Sequence, residues 1–171
     1  MTRSRLPALV TAALVLAVAP AVLRGPRLLA ADAATGMPAP AWKLKDLAGH
    51  EVSSDRFKGK VVIVDFWATW CGPCVSEIPG YVELQKKYGK DGLVVVGVSL
   101  DRKSPAAVQK FAVEHGMDYQ LVMGDEATVE AFGGFDAIPT TFLINRDGRI
   151  VHQKTGAVPH EEYEAIVKQF L

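Results

Sequence analysis

The chain predicts an α/β fold, a mixed central β-sheet flanked by helices. Three observations carry that reading. Residues 61–67 and 93–99 are apolar, β-branched runs of the kind found in strands buried on both faces. Helix-prone stretches alternate with them, as in units where a helix crosses between parallel strands. Near the C-terminus, Asn145-Arg146-Asp147-Gly148 has the composition of a hairpin turn between two further strands, and a helix follows.

Taken in order, Thr35-Gly36-Met37-Pro38-Ala39-Pro40 reads as a linker. Trp42 and Leu44 then alternate with Lys43 and Lys45. Ala48-Gly49 turns the chain before Glu51-Val52-Ser53, which predicts an N-terminal β-hairpin. Gly59-Lys60 leads into the strand at 61–67. A helix is expected from Cys71 to Tyr88, with a kink at Pro79-Gly80. After the strand at 93–99, Ser104 caps a helix that opens on Pro105 and closes at His115-Gly116. A short strand at 119–122 and a short helix at 126–132 follow. Strands at 140–144 and 149–153 form the hairpin, and a helix at 159–170 ends the chain.

At 171 residues, 49% hydrophobic and 22% charged, the chain suits one globular domain with a short appendage. Residues 1–36 are that appendage and 37–171 the domain. Arg3 and Arg5 precede an uncharged run from Leu6 to Leu23, the pattern of an export signal. Ala31-Asp32-Ala33 offers small residues at a peptidase's spacing. The run is also long enough for a membrane anchor, and Gly25-Pro26-Arg27 separates it from that cleavage site. Cleaved signal and retained anchor both stay open, and both place the domain outside the cytoplasm. Without the leader's four arginines and one aspartate, residues 37–171 carry a formal net charge of −3. No basic stripe is present, which argues against nucleic acid as a partner. A monomer is expected.

Cys71 and Cys74 are the only cysteines, two residues apart in Trp70-Cys71-Gly72-Pro73-Cys74. They fall where a strand gives way to a helix. Unpaired backbone N–H groups and the positive end of the helix dipole lower a first-turn thiol's pKa there. A thiolate attacks disulfides, and a second thiol close by resolves the mixed disulfide. Two other uses compete. Zinc needs a second pair of ligands, and His50, His115, His152 and His160 are scattered, so no metal is expected. A permanent structural disulfide would close too small a loop to stabilise much. The redox pair is the leading reading, with the Cys71–Cys74 disulfide itself in place of a cofactor.

Asp65 stands inside an otherwise apolar run, where an unpaired carboxylate is costly. Either it reaches solvent or a backbone N–H at the strand end, or it is a buried proton acceptor for Cys74. Glu77 follows Cys74 by one helical turn and Cys71 by two, so one face can carry all three; an ordinary surface glutamate is the alternative. Trp67 is expected in the core, and Trp70 at the rim of the dithiol.

The residues from Gly59 to Cys74, the Glu77-Ile78-Pro79 triplet, and Ile138-Pro139-Thr140-Thr141-Phe142-Leu143-Ile144 with Asp147-Gly148 resemble the thioredoxin superfamily. Within it they resemble the TlpA/ResA/CcmG-like extracytoplasmic thiol–disulfide oxidoreductases. The resemblance covers about residues 37–171. It implies a thioredoxin-like fold, with the N-terminal hairpin and the helix and strand between Ser104 and Val122 as that subgroup's additions. It implies that Cys71 is the exposed nucleophile, Cys74 the buried resolving thiol and Pro139 a cis-proline beside the dithiol. Ile138 would then pair with a bound substrate strand, next to Trp70, Gly72 and Pro73. Glu77 matches an acid linked to cysteine tuning and substrate recognition. Small thioredoxins carry Asp at the place of Asp65, whereas many ResA-like proteins have Asn there. The implied activity is reduction of protein disulfides, apocytochrome c among them, with a membrane thiol-electron transporter as reductant. Two other functions are weighed. A peroxiredoxin-type thiol peroxidase lacks its signature, since Ala68 stands three residues before Cys71. A non-catalytic module for unfolded or apo-proteins would use the same groove without turnover.

Overall fold

The computed structural model describes residues 36–171. The export or anchor segment lies outside the described residues. Eight strands form one sheet: β1 (Met37–Pro38), β2 (Lys43–Asp46), β3 (Glu51–Ser53), β4 (Val61–Trp67), β5 (Leu93–Ser99), β6 (Gln120–Met123), β7 (Thr140–Ile144) and β8 (Arg149–Thr155). Four helices pack on it: α1 (Gly72–Tyr88), α2 (Pro105–Glu114), α3 (Glu126–Ala131) and α4 (His160–Val167). The strand order is β1-β8-β7-β4-β5-β6-β2-β3. Strands β4, β5 and β6 run parallel, and β7, β8 and the hairpin pair antiparallel. The fold is the expected mixed α/β sheet, with the hairpin and the helix–strand insertion in place.

Alternation along β4 divides the core in two. Val61, Ile63 and Trp67 face one layer, with Ile78, Tyr81 and Leu84 of α1, Val108 and Ala112 of α2, and Tyr163 and Val167 of α4. Val62, Val64 and Phe66 face the other, with Trp42, Leu44 and Val52 of the hairpin and Phe132 and Phe142. The hairpin therefore covers a sheet face as well as extending an edge. Chain length requires this. β1 and β2 are six strand spacings apart in the sheet order, about 29 Å if flat. Five residue steps join Pro38 to Lys43, at most about 18 Å. The sheet must curl to bring its two margins together.

The stretch expected as a linker is partly a strand: Met37 and Pro38 pair with Ile150 and Arg149. A two-residue edge strand containing proline has no periodicity to reveal it. Strand β8 runs two residues beyond the expected end, to Thr155, and α4 is shorter than expected, ending at Val167. Helix α1 continues through Pro79 to Tyr88. Ser104 caps α2 through its side chain, as expected, and Asp125 caps α3 likewise. Among the described residues no helix is long and apolar enough to cross a membrane.

Gly97 pairs with Asp65 in the neighbouring strand. A β-carbon there would lie 2.7 Å from a Leu121 methyl and 3.0 Å from Trp67 Nε1. Gly97→Ala is expected to lower stability by about 1–3 kcal/mol through overpacking. Urea unfolding of the oxidised protein checks this, and an unchanged midpoint would contradict it.

Candidate active site

Cys71 is the N-cap of α1, with extended backbone. Its Sγ accepts the Cys74 N–H at 3.2 Å. Pro73 occupies the first turn, where a missing N–H costs no intrahelical bond. The two sulfurs are bonded at 2.03 Å. Gly72 and Pro73 are exposed between them. Cys71 itself is only 6% exposed and Cys74 2%, so the nucleophile expected to be exposed is nearly as buried as its partner in the disulfide form. Its Sγ is turned into the helix N-terminus and lies 3.6 Å from the Ile138 carbonyl oxygen, under a loop from elsewhere in the chain. Backbone N–H groups and the helix dipole at such a helix N-terminus favour a thiolate over a thiol.

The loop facing the dithiol comes from the start of β7. The Ile138–Pro139 bond is cis. Pro139 is buried and Ile138 partly exposed. The loop is held from both sides: Thr140 Oγ1 donates to the Ala137 carbonyl at 2.7 Å, and the Gly156 N–H to that of Pro139 at 2.8 Å. Trp70 is 66% exposed beside Cys71, whereas Trp67 is buried in the core, as the sequence suggested for each. Asp101, which the sequence reading missed, anchors the stretch before the cysteines. It accepts the Thr69 N–H at 2.9 Å and the Thr69 hydroxyl at 2.6 Å, and the Ser99 hydroxyl at 3.0 Å. Asp101 directly follows the strand in Leu100-Asp101, the one signal available for it.

Asp65 is 3% exposed, on the same face of β4 as Ile63 and Trp67 and so toward the layer that holds both cysteines. It does not reach solvent. Its Oδ1 accepts the Thr141 hydroxyl at 2.9 Å, and Thr141 is in turn within 3.1 Å of the Tyr81 hydroxyl. Burial pushes its pKa up to about 7, against the pull of the Thr141 hydrogen bond and the nearby Lys154 cation. That value suits a group that exchanges a proton near neutrality.

Glu77 is not a surface glutamate. Its two carboxylate oxygens accept hydrogen bonds from Lys154 Nζ at 2.7 and 2.9 Å, and Oε1 also accepts the Val158 N–H at 3.2 Å. Lys154 was missed by sequence reasoning, which ended the strand one residue before it. Among the described residues no cluster of three or more His, Cys, Asp or Glu side chains is arranged to hold a metal.

With this geometry in view, comparison with known proteins gives a consistent result. The Redoxin family matches residues 34–169. The chain belongs to that family. It is 32% identical over 134 residues to the thiol-disulfide oxidoreductase ResA of Bacillus thuringiensis (strain Al Hakam), covering 78% of this chain and 77% of that protein. It is 35% identical over 131 residues to the ResA of Geobacillus kaustophilus (strain HTA426), covering 77% and 75%. The crystal structure of a thioredoxin-family thiol:disulfide interchange protein from Chlorobium tepidum TLS superposes with a TM-score of 0.73 at 33% identity, covering 80% of this chain and 97% of that one. This Redoxin-family chain is thus a TlpA/ResA-like member of the thioredoxin superfamily and a thiol–disulfide oxidoreductase, with Cys71–Cys74 as its disulfide.

Proposed function

We propose that the chain reduces protein disulfides outside the cytoplasm, with apocytochrome c cysteines as one class of client. The observation that carries the reading is the Cys71–Cys74 pair at the start of α1, faced by the Ile138 carbonyl at 3.6 Å and bordered by exposed Trp70. Partly exposed Ile138, just before β7, is where an extended client segment would pair, and Trp70 offers an apolar contact surface. The Gly72-Pro73 dipeptide resembles that of reductants, and the ResA relatives suggest the client class. The leader's Arg3, Arg5 and uncharged run support export or anchoring, and reduction in an oxidising space requires electrons delivered across the membrane by a thiol transporter.

The steps follow from thiol chemistry. The Cys71 thiolate attacks one sulfur of the client disulfide. That S–S bond breaks, a mixed disulfide forms on Cys71, and the first client sulfur leaves and takes a proton. Asp65 accepts the proton of Cys74, whose thiolate then attacks Cys71 Sγ. The second client sulfur leaves as a thiol, and the Cys71–Cys74 bond closes. Two electrons pass to the client.

The deciding experiment is Cys74→Ser in the native host, followed by identification of proteins disulfide-linked to Cys71. Discrete clients rich in paired cysteines are the expected result. Absence of any trapped protein would sink the reductase reading, and recovery of peroxide-reducing activity by the same variant would replace it with a peroxidase.

A further inference from the structure

Among the ion pairs of the described residues, Glu77–Lys154 is the one with both side chains under one-tenth exposed, at 8% and 5%. Burying two charges is costly, so such a pair persists only where its geometry is nearly complete. Here it is. Lys154 Nζ bonds both Glu77 oxygens and the Gly156 carbonyl at 3.3 Å, and lies over the rings of Tyr81 at 5.9 Å and Tyr163 at 5.3 Å.

The pair's connections close a ring around the dithiol. Glu77 sits one turn after Cys74 on α1. Through Lys154 it reaches Gly156, whose N–H holds the Pro139 carbonyl at 2.8 Å. Pro139 follows Ile138, whose carbonyl returns to Cys71 Sγ. The sheet adds a second link. Asp65 is registered with Thr141 and Thr141 with Lys154, so the three form one row across β4, β7 and β8. Lys154 favours the ionised form of Asp65 and Glu77 opposes it. The other titratable groups coupled to this site are three phenols, Tyr81 on α1, Tyr163 on α4 and Tyr119 just before β6, all held neutral by burial, and His152 on β8, whose protonated form is disfavoured by burial and by the Lys154 cation.

We propose that Lys154 is a positioning residue of the thiol–disulfide reaction: with Glu77 it ties the first two turns of α1 to the loop carrying Pro139, and it is the cation that balances the Glu77 carboxylate behind Asp65. The proposal rests on the reading of Asp65 as the proton acceptor for Cys74. The Glu77 charge is then felt through Asp65.

The test uses the full chain and follows single-turnover release of a client thiol from a mixed disulfide on Cys71, from about pH 5 to 9. Lys154→Met moves the acid limb up by about one pH unit, slowing release about tenfold below it. Glu77→Gln moves the limb down. The double variant returns toward wild type, and Lys154→Arg stays near it because the charge is kept. Opposite shifts that cancel are a signature of charge; a merely structural clamp gives losses of one sign. Shifts of the same sign, or no shift in either single variant, overturn the proposal. Should Lys154→Met fail to fold, as a urea transition would reveal, Glu77→Gln and the double variant decide alone by the same criteria. Asp65→Asn separates the two readings. If it leaves the limb in place, the acceptor assignment fails; if it removes the limb while the Lys154 and Glu77 variants never move it, only the present proposal fails.

Discussion

Cys71→Ser is expected to abolish reduction of a protein disulfide such as that of insulin, measured as dithiothreitol-driven precipitation, down to the uncatalysed rate. The serine hydroxyl stays protonated at neutral pH and forms no mixed disulfide, so the first step has no nucleophile. Cys74→Ser is expected to behave differently. It keeps one attack on each client and then stalls, because nothing displaces the client from Cys71. The place of Cys71 at the N-cap of α1, where its Sγ accepts the Cys74 N–H, supports this asymmetry. Equal capture of client as a mixed disulfide by the two variants, in the absence of dithiothreitol, would show that the roles of the cysteines are wrongly assigned.

The second large effect is on stability. Asp65 has a folded pKa of about 7 against an ordinary value of 3.8, raised chiefly by burial. The folded state therefore holds a proton that the unfolded chain releases. The sign follows: stability from this group is fully present below about pH 4 and is lost as pH rises through about 7, by on the order of 4 kcal/mol at most. Asn cannot ionise, yet its carbonyl can still accept the Thr141 hydroxyl. Asp65→Asn is thus expected to stabilise the oxidised protein by about 2–4 kcal/mol near pH 8, with the gain fading to nothing near pH 4. Urea midpoints at several pH values test it, and a gain independent of pH would refute the buried carboxylate as its source. On the proposed role of Asp65 as proton acceptor, the same substitution is expected to slow resolution by Cys74.

Much of this site could be read before any coordinates, because its chemistry leaves local marks. Cys71 and Cys74 lie close together in sequence, and Asp65 interrupts an apolar run where nothing polar belongs. Strands β4, β5 and β7 are buried on both faces and so appear as largely apolar stretches rather than as alternating ones. What stayed hidden depends on partners distant in sequence. Lys154 in a strand near the C-terminus looks like any solvated lysine, and only the approach of Glu77, 77 residues earlier, makes it a buried cation. Asp101 is one of many acids after a strand until Thr69 folds onto it. The depth of Cys71 likewise depends on the Ile138 loop, contributed from 67 residues away.

The pairing of β1 has a consequence for how the molecule is oriented. Met37 and Pro38 meet Ile150 and Arg149 at the start of β8, which lies level with the start of β4 and the end of β7. The dithiol follows the other end of β4, beyond Trp67. A seven-residue strand separates the two ends, about 23 Å at 3.3 Å per residue. Whatever precedes Gly36 therefore joins the domain at the pole opposite the reactive sulfurs. Cys71 and exposed Trp70 thus face away from the point at which the chain enters the domain.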